Sequence, residues 1–308
     1  MRRRSTILLA ALGLVGSLAA AGAQSSVAAP AAHGRGIKPL HTVSANVLRP
    51  DTITPVTFQS GWSTDAVSPR PKVLIVFWGR QWTRDYAGAQ PALINFFAGL
   101  FGRQDKWGAV LSQYCEGVPA GTAFCNGQGI PIVHPNSSPL YQVFDDFGSP
   151  EPTYASYSDL QREAVHAAHA VGLDSRAAQN TQVIIASGPG THPDGFPSDF
   201  CAYHDSIGSS IGTIAWTNLP YLPDLGAGAC TTIDNPTLLD GYFSTESHEY
   251  AETVTDFTVE PDATGWLAGD GEEIADLCEN LDAREVLPTG TYDVQGIWSN
   301  AANGCVTG

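Results

Sequence analysis

Two nearly continuous apolar runs constrain this 308-residue chain more than any other feature. Lys72-Val73-Leu74-Ile75-Val76-Phe77-Trp78 closes at Gly79, and Thr181-Gln182-Val183-Ile184-Ile185-Ala186-Ser187 closes at Gly188. Runs of this length without polar alternation belong to strands covered on both faces. Helical patterns fall between them. Leu93, Ile94, Phe96, Phe97 and Leu100, then Trp107, Val110 and Leu111, repeat at helical spacing over residues 91–114, with a break at Gly102. Ser158-Asp159 opens a second helix running to Ala170. Further strands are expected near residues 130–133, 211–216 and 290–298, and residues 116–154 otherwise read as loop. Asn235-Pro236 carries the cap-then-proline signature of a helix start. Strands and helices alternate, so the expected class is α/β (α+β): a single domain over residues 56–308, with a central mixed sheet flanked by helices. Its length, about 250 residues, suffices for one well-buried core.

The ends and the charge set the surroundings. Residues 1–23 read as a secretory signal peptide: Arg2, Arg3 and Arg4, an apolar run from Ile7, then Ala21-Gly22-Ala23. Ala28-Ala29 offers an alternative cleavage site. The apolar run is too short for a membrane anchor, and no later stretch approaches the roughly 20 residues a spanning helix needs. Residues 24–55 are rich in Ala, Ser, Gly and Pro and read as a flexible leader, or as an extended arm lying on the domain. Formal charge is −16, and lysine is limited to Lys38, Lys72 and Lys106. Such a surface disfavours nucleic acid and anionic lipid and suits a secreted, extracellular protein that tolerates salt or binds cations. A monomer is expected. Cys115, Cys125, Cys201, Cys230, Cys278 and Cys305 are an even set in a chain read as exported, hence a disulfide-stapled fold. Sequential pairing is expected, because each bridge then staples a local irregular segment. No Cys-x-x-Cys is present, which disfavours a zinc ribbon or a thioredoxin-like site.

Ser247-His248-Glu249-Tyr250-Ala251-Glu252 carries the chemistry. On a helix, His248 and Glu252 stand one turn apart on one face, with Glu249 turned about 100° from His248. A zincin helix needs that arrangement, two ligands one turn apart and a carboxylate beside the open position. Here Glu252 stands where such helices carry a second histidine. A carboxylate ligand weakens the Lewis acid and admits Mn²⁺ alongside Zn²⁺, the first expectation for the divalent metal. Asp276 and Glu273 are the first candidates for a further ligand, from a segment that can return beside the helix, and His204 is the next. Glu249 is the expected general base, activating water for hydrolysis of a peptide bond in an extracellular peptide or cell-wall substrate. The alternative is a non-catalytic extracellular or wall-associated protein, whose carboxylates hold a structural ion or a hydrogen-bond network.

Four blocks carry a resemblance: Gly195-Phe196 with Phe200-Cys201-Ala202-Tyr203-His204, Ser247 to Glu252, Glu273-Ile274-Ala275-Asp276-Leu277-Cys278-Glu279, and Trp298-Ser299 with Cys305. In this order they resemble the phosphate-induced protein/EXORDIUM-like family, secreted plant cell-wall proteins with bacterial relatives. The resemblance spans roughly residues 70–305 and implies the fold and an extracellular location. Plant members generally have Asn-Pro where this chain has Asp256-Phe257.

Other residues have plainer readings. Asp256 continues the His248–Glu252 stripe, but an acid at a helix end is commonly just solvated. His166 and His169 sit three apart on one helix, a spacing that suits a metal clamp or simple surface packing. His192 lies in a loop with no identifiable partner, and Glu272 and Glu273 could equally cap a turn. There is no Gly-x-Ser-x-Gly elbow, so a serine-nucleophile scheme lacks its starting residue.

Overall fold

The computed structural model describes residues 37–39, 55–59, 65–198, 200–259 and 264–308, all within one compact unit, Gly34–Gly308. The expected signal peptide and most of the leader lie outside the described residues. In chain order come β1 (Ile37–Pro39), β2 (Thr57–Phe58), β3 (Lys72–Trp78), α1 (Ala89–Gly99), α2 (Trp107–Val110), β4 (Cys115–Glu116), β5 (Ile130–Pro131) and β6 (Leu140–Asp146). There follow α3 (Tyr157–Ala170), α4 (Ser175–Ala178), β7 (Thr181–Ser187), β8 (Phe200–Ser209), β9 (Gly212–Leu219) and α5 (Asp240–Thr255). The chain closes with β10 (Trp266–Leu267), β11 (Asp282–Leu287), β12 (Gly290–Gln295), β13 (Ile297–Ser299) and β14 (Gly304–Val306).

Six strands form one mixed sheet in the order β1-β8-β9-β7-β3-β6. The two apolar runs, β3 and β7, are its parallel centre, and both are buried almost throughout, as strands covered on both faces must be. β6 pairs parallel to β3 and β9 parallel to β7, whereas β8 runs antiparallel to β9, as does β1 to β8. The fold is thus mixed α/β with a central mixed sheet, and within the 24–55 segment Ile37–Pro39 adds an edge strand to it.

Helices cover both faces. The α3 side holds Tyr157 against Trp216 and against Asp205 of β8. The period of two then turns His204 the other way, toward α5. α5 packs on β8 and β9, and β12 lies against it as well. Phe96 and Phe97 of α1 meet Phe243 and Tyr250 of α5, with Tyr292 beside Phe243. Enclosed in this way, every residue of α5 is buried.

Three disulfides join Cys115 to Cys125, Cys201 to Cys230 and Cys278 to Cys305, the expected sequential pairing. Two of them brace segments beside α5. Cys201 lies three residues before His204, and the Ala229 carbonyl next to Cys230 approaches Gly241 so closely that a Cβ there would fall 1.8 Å from it. Only glycine fits that first turn of α5.

Several expectations need correction. The α5 helix begins at Asp240, not at Asn235-Pro236. Asn235 has φ 54°, outside the helical range, and the Asp240 carboxylate instead receives the Thr237 N–H at 2.5 Å and pairs with Arg284. The α3 helix is capped by Ser156, not Ser158, through a reciprocal capping box with Asp159. The expected closing strand is two, β12 and β13, separated at Gly296. A Cβ at Gly296 would lie 2.8 Å from the Leu281 side chain, so the backbones approach there without room for one. Strand β6 falls in a stretch expected to be loop. No helix among the described residues is long and apolar enough to cross a membrane.

Candidate metal centre

The site is built from three segments. α5 presents His248, Glu249 and Glu252, β8 presents His204, and the turn at residues 273–276 presents Glu273 and Asp276. His248 and Glu252 meet as their one-turn spacing requires, Nε2 to Oε2 at 3.1 Å. The return segment does reach the helix. Asp276 Oδ1 lies 3.4 Å from the same His248 nitrogen. On the other side of Glu252, His204 Nε2 lies 3.6 Å from Oε2 and 3.4 Å from Glu273 Oε1. All three candidates for a further ligand therefore converge on the helix.

Orientation is set by neighbouring groups. Glu252 Oε1 accepts the backbone N–H groups of Ala275 at 3.2 Å and Asp276 at 2.9 Å, which leaves Oε2 aimed at the histidines. Gln295 donates from Nε2 to the Ala275 carbonyl at 2.8 Å, so its Oε1, 3.1 Å from His248 Nδ1, can only accept. His248 then donates from Nδ1 and turns Nε2 toward the carboxylates, the usual way a metal-binding imidazole is held. Ser247 Oγ accepts the Gln295 N–H at 2.9 Å and ties β12 to the helix one residue before His248.

The centre is closed, and among the described residues its carboxylates have only histidines as basic partners. His204, His248, Glu249, Glu252 and Glu273 are buried, and only Asp276, with its side chain 19% exposed, touches solvent. Among the described residues, the ion-pair partners of Glu252, Glu273 and Asp276 are histidines alone. His248 Nε2, Glu252 Oε2, Glu273 Oε1 and both oxygens of Glu249 make no hydrogen bond. Buried polar atoms rarely go unsatisfied, since each costs about 1–3 kcal/mol, more when charged.

The protonation of the cluster follows from burial and mutual repulsion. Burial disfavours the His248 imidazolium, but Glu252, Asp276 and Glu249 outweigh it and hold its pKa well above the ordinary value. His204 behaves alike beside Glu273 and Glu252. Burial would raise Glu252, yet the two histidines bring it down to about 2. Burial lifts Glu249 to about 8 against the pull of both histidines, and lifts Glu273 and Asp276 as well. A divalent cation would displace such protons from its ligands.

The separations discriminate between a hydrogen-bonded network and an ion. Charge-assisted N–H···O bonds run at about 2.7–2.9 Å. Two atoms each bound about 2.1 Å from one ion lie about 3.0 Å apart at a right angle and about 3.4 Å apart at the tetrahedral angle. Three of the four contacts, at 3.1, 3.4 and 3.4 Å, fall in the second range, and the His204–Glu252 separation of 3.6 Å lies beyond both.

The remaining candidates separate. Asp256 Oδ1 accepts from Thr264 Oγ1 at 3.0 Å, beyond the end of the helix. His166 approaches Asp146 at 3.8 Å while His169 faces Ser210, so the two do not converge. His192 stacks on Tyr154. Glu272 stays half-buried at the turn, whereas Glu273 swings inward to His204. Sequence reasoning missed Gln295 and Glu246. Glu246 is buried with both oxygens unbonded, and burial, then Glu249, raises its pKa well above the ordinary value. Its place three residues before Glu249 was the available signal. Comparison with family models, with curated proteins and with solved structures returns no match.

Proposed function

We propose that this chain is a secreted, divalent-metal-dependent hydrolase of peptidase type. His248 and Glu252 hold the ion with Asp276 beside them, and Glu249 serves as general base in a zincin-like arrangement. One observation carries the reading: a wholly buried helix directs unbonded imidazole and carboxylate atoms at each other at ligand-to-ligand separations. Zinc is the first expectation and manganese the second. When bound, the ion supplies Lewis acidity and a lowered pKa for water. The chain's own residues do the rest. Gln295 sets the His248 tautomer, the Ala275 and Asp276 amides fix Glu252, and Glu249 can take a proton within a site largely shielded from solvent.

The EXORDIUM-like relationship is part of the same proposal. Three of its four blocks, around His204, His248 and Asp276, are the segments that meet at the cluster. Three disulfides support an extracellular setting, with an extracellular peptide or cell-wall component as substrate.

A structural ion is the second reading, favoured by the complete burial of Glu249. Metal analysis of the secreted chain, purified without chelating resin, tests both readings beside His248→Ala and Glu249→Gln. The hydrolase reading expects bound zinc or manganese that His248→Ala loses. Glu249→Gln should keep the ion but abolish turnover on a peptide, ester and glycan panel. Bound metal with no turnover in the wild type supports the structural ion. A folded, metal-free wild type that takes up neither added zinc nor manganese overturns both.

A further inference from the structure

The candidate ligand atoms form two sets, each lying within 4.8 Å: His248, Glu252 and Asp276, and His204, Glu252 and Glu273. They share only Glu252. Its Oε1 is committed to two backbone amides, so one oxygen, Oε2, faces both histidines, at 3.1 and 3.6 Å. The second set is as buried as the first, and Glu273 Oε1 has no hydrogen bond there. Glu273 Oε2 is hydrogen-bonded to His204 Nε2 at 3.4 Å, and its unbonded Oε1 lies at the same distance.

Resting on the metal reading above, we propose that the centre is dinuclear. One ion is held by His248, Asp276 and Glu252, a second by His204, Glu273 and Glu252, and Glu252 Oε2 bridges them. One oxygen bound about 2.1 Å from each ion places them roughly 3.5–4 Å apart, the spacing of two-metal hydrolytic sites. Charge points the same way. Glu246, Glu249, Glu252, Glu273 and Asp276 crowd one enclosed region with two histidines as its only basic side chains among the described residues. Were all five to ionise as metal displaces their protons, one divalent ion would leave a larger uncompensated negative charge there than two, and buried uncompensated charge is strongly unfavourable. Each position has one imidazole and two carboxylates, a donor set open to Mn²⁺ as well as Zn²⁺.

Metal-to-protein stoichiometry of the full secreted chain tests this, with Mn²⁺ titration followed by electron paramagnetic resonance. The expected result is about two ions per wild-type chain and an exchange-broadened Mn²⁺ spectrum. His204→Ala and Glu273→Gln should each retain about one ion with an isolated Mn²⁺ signal. One ion per wild-type chain, with an isolated signal at saturation, overturns the dinuclear proposal and leaves the hydrolase reading standing. No bound ion overturns both. The wild-type spectrum decides the matter even where a variant fails to fold.

Discussion

Among the described residues, two helices of similar length, α3 and α5, each carry a histidine–carboxylate cluster, and the clusters differ in what surrounds them. On α3, His166 and Glu163 approach Asp146 of β6, with the His166 side chain 57% exposed. On α5, His248 and Glu252 meet Asp276 with the helix buried on every side. Proximity is common to both. At the α3 cluster water can solvate the imidazole, and exposed pairs of this kind contribute about 0–1 kcal/mol. At the α5 cluster water is largely excluded, so the same residue types demand a cation or protons. The α3 cluster buries only Glu163, with one oxygen unbonded, whereas at α5 the imidazole is buried and unbonded as well, and that enclosure of both, rather than mere nearness, marks the site.

The largest effect expected beyond the site variants themselves comes from the disulfide behind Asp276. Replacing Cys278 and Cys305 together with Ser should destabilise the fold by about 2–4 kcal/mol. It should also loosen metal binding, because Cys278 anchors the turn that supplies Asp276. Denaturation and metal titration on the same preparation check this, and unchanged affinity would separate the bridge from the site. Next comes Gln295→Leu, which leaves every ligand in place but removes the acceptor on His248 Nδ1. Metal affinity should fall about 10–100-fold, as read by competition with a chromophoric chelator. Unaltered affinity would show that α5 packing alone orients the imidazole.

The smallest effects belong to α3. Glu163 has its pKa raised to about 8 by burial and then by Asp146. The folded chain therefore keeps a proton that the unfolded chain releases near pH 4.5. Stability is full below about 4.5, falls as pH rises and reaches its floor above about 8. Glu163→Gln should flatten that component, seen as the difference between wild-type and variant denaturation midpoints across this window. His166→Ala in the same series should change stability by no more than about 0.5 kcal/mol and leave metal content intact. A loss of metal in His166→Ala would break the contrast between the clusters.

How much was legible varied with how local each feature is. β3 and β7 were readable because both faces of each strand are covered, so the apolar run needs no further context. β6 was not readable. It is an edge strand whose Tyr141 and Gln142 are exposed, and its polarity resembles that of a loop. β8 was missed for a related reason. Its buried Asp205 and His204 are polar residues held by α3 and α5 in turn, which no local pattern reports. The α5 helix shows the same limit. Its sequence does not distinguish one solvated face from none, and the enclosure comes from β8, β9 and β12 together.

By itself the sequence determined what depends on short separations along the chain. These are the one-turn offset of His248 and Glu252, the two central strands, and an even cysteine set whose sequential pairing, expected from sequence and settled by the structure, closes loops of 10, 29 and 27 residues. Helical and extended periods act over a few residues, and short loops close at small entropic cost. The tertiary structure alone decided which candidates meet. His204, 44 residues before His248, reaches Glu252 because the β8–β9 pairing carries it to the α5 face of the sheet. Gln295 reaches His248 because β12 lies against that helix. Burial, and with it the cost of leaving these charges uncompensated, is a property of all these layers at once, since the surroundings determine the energy of a charge.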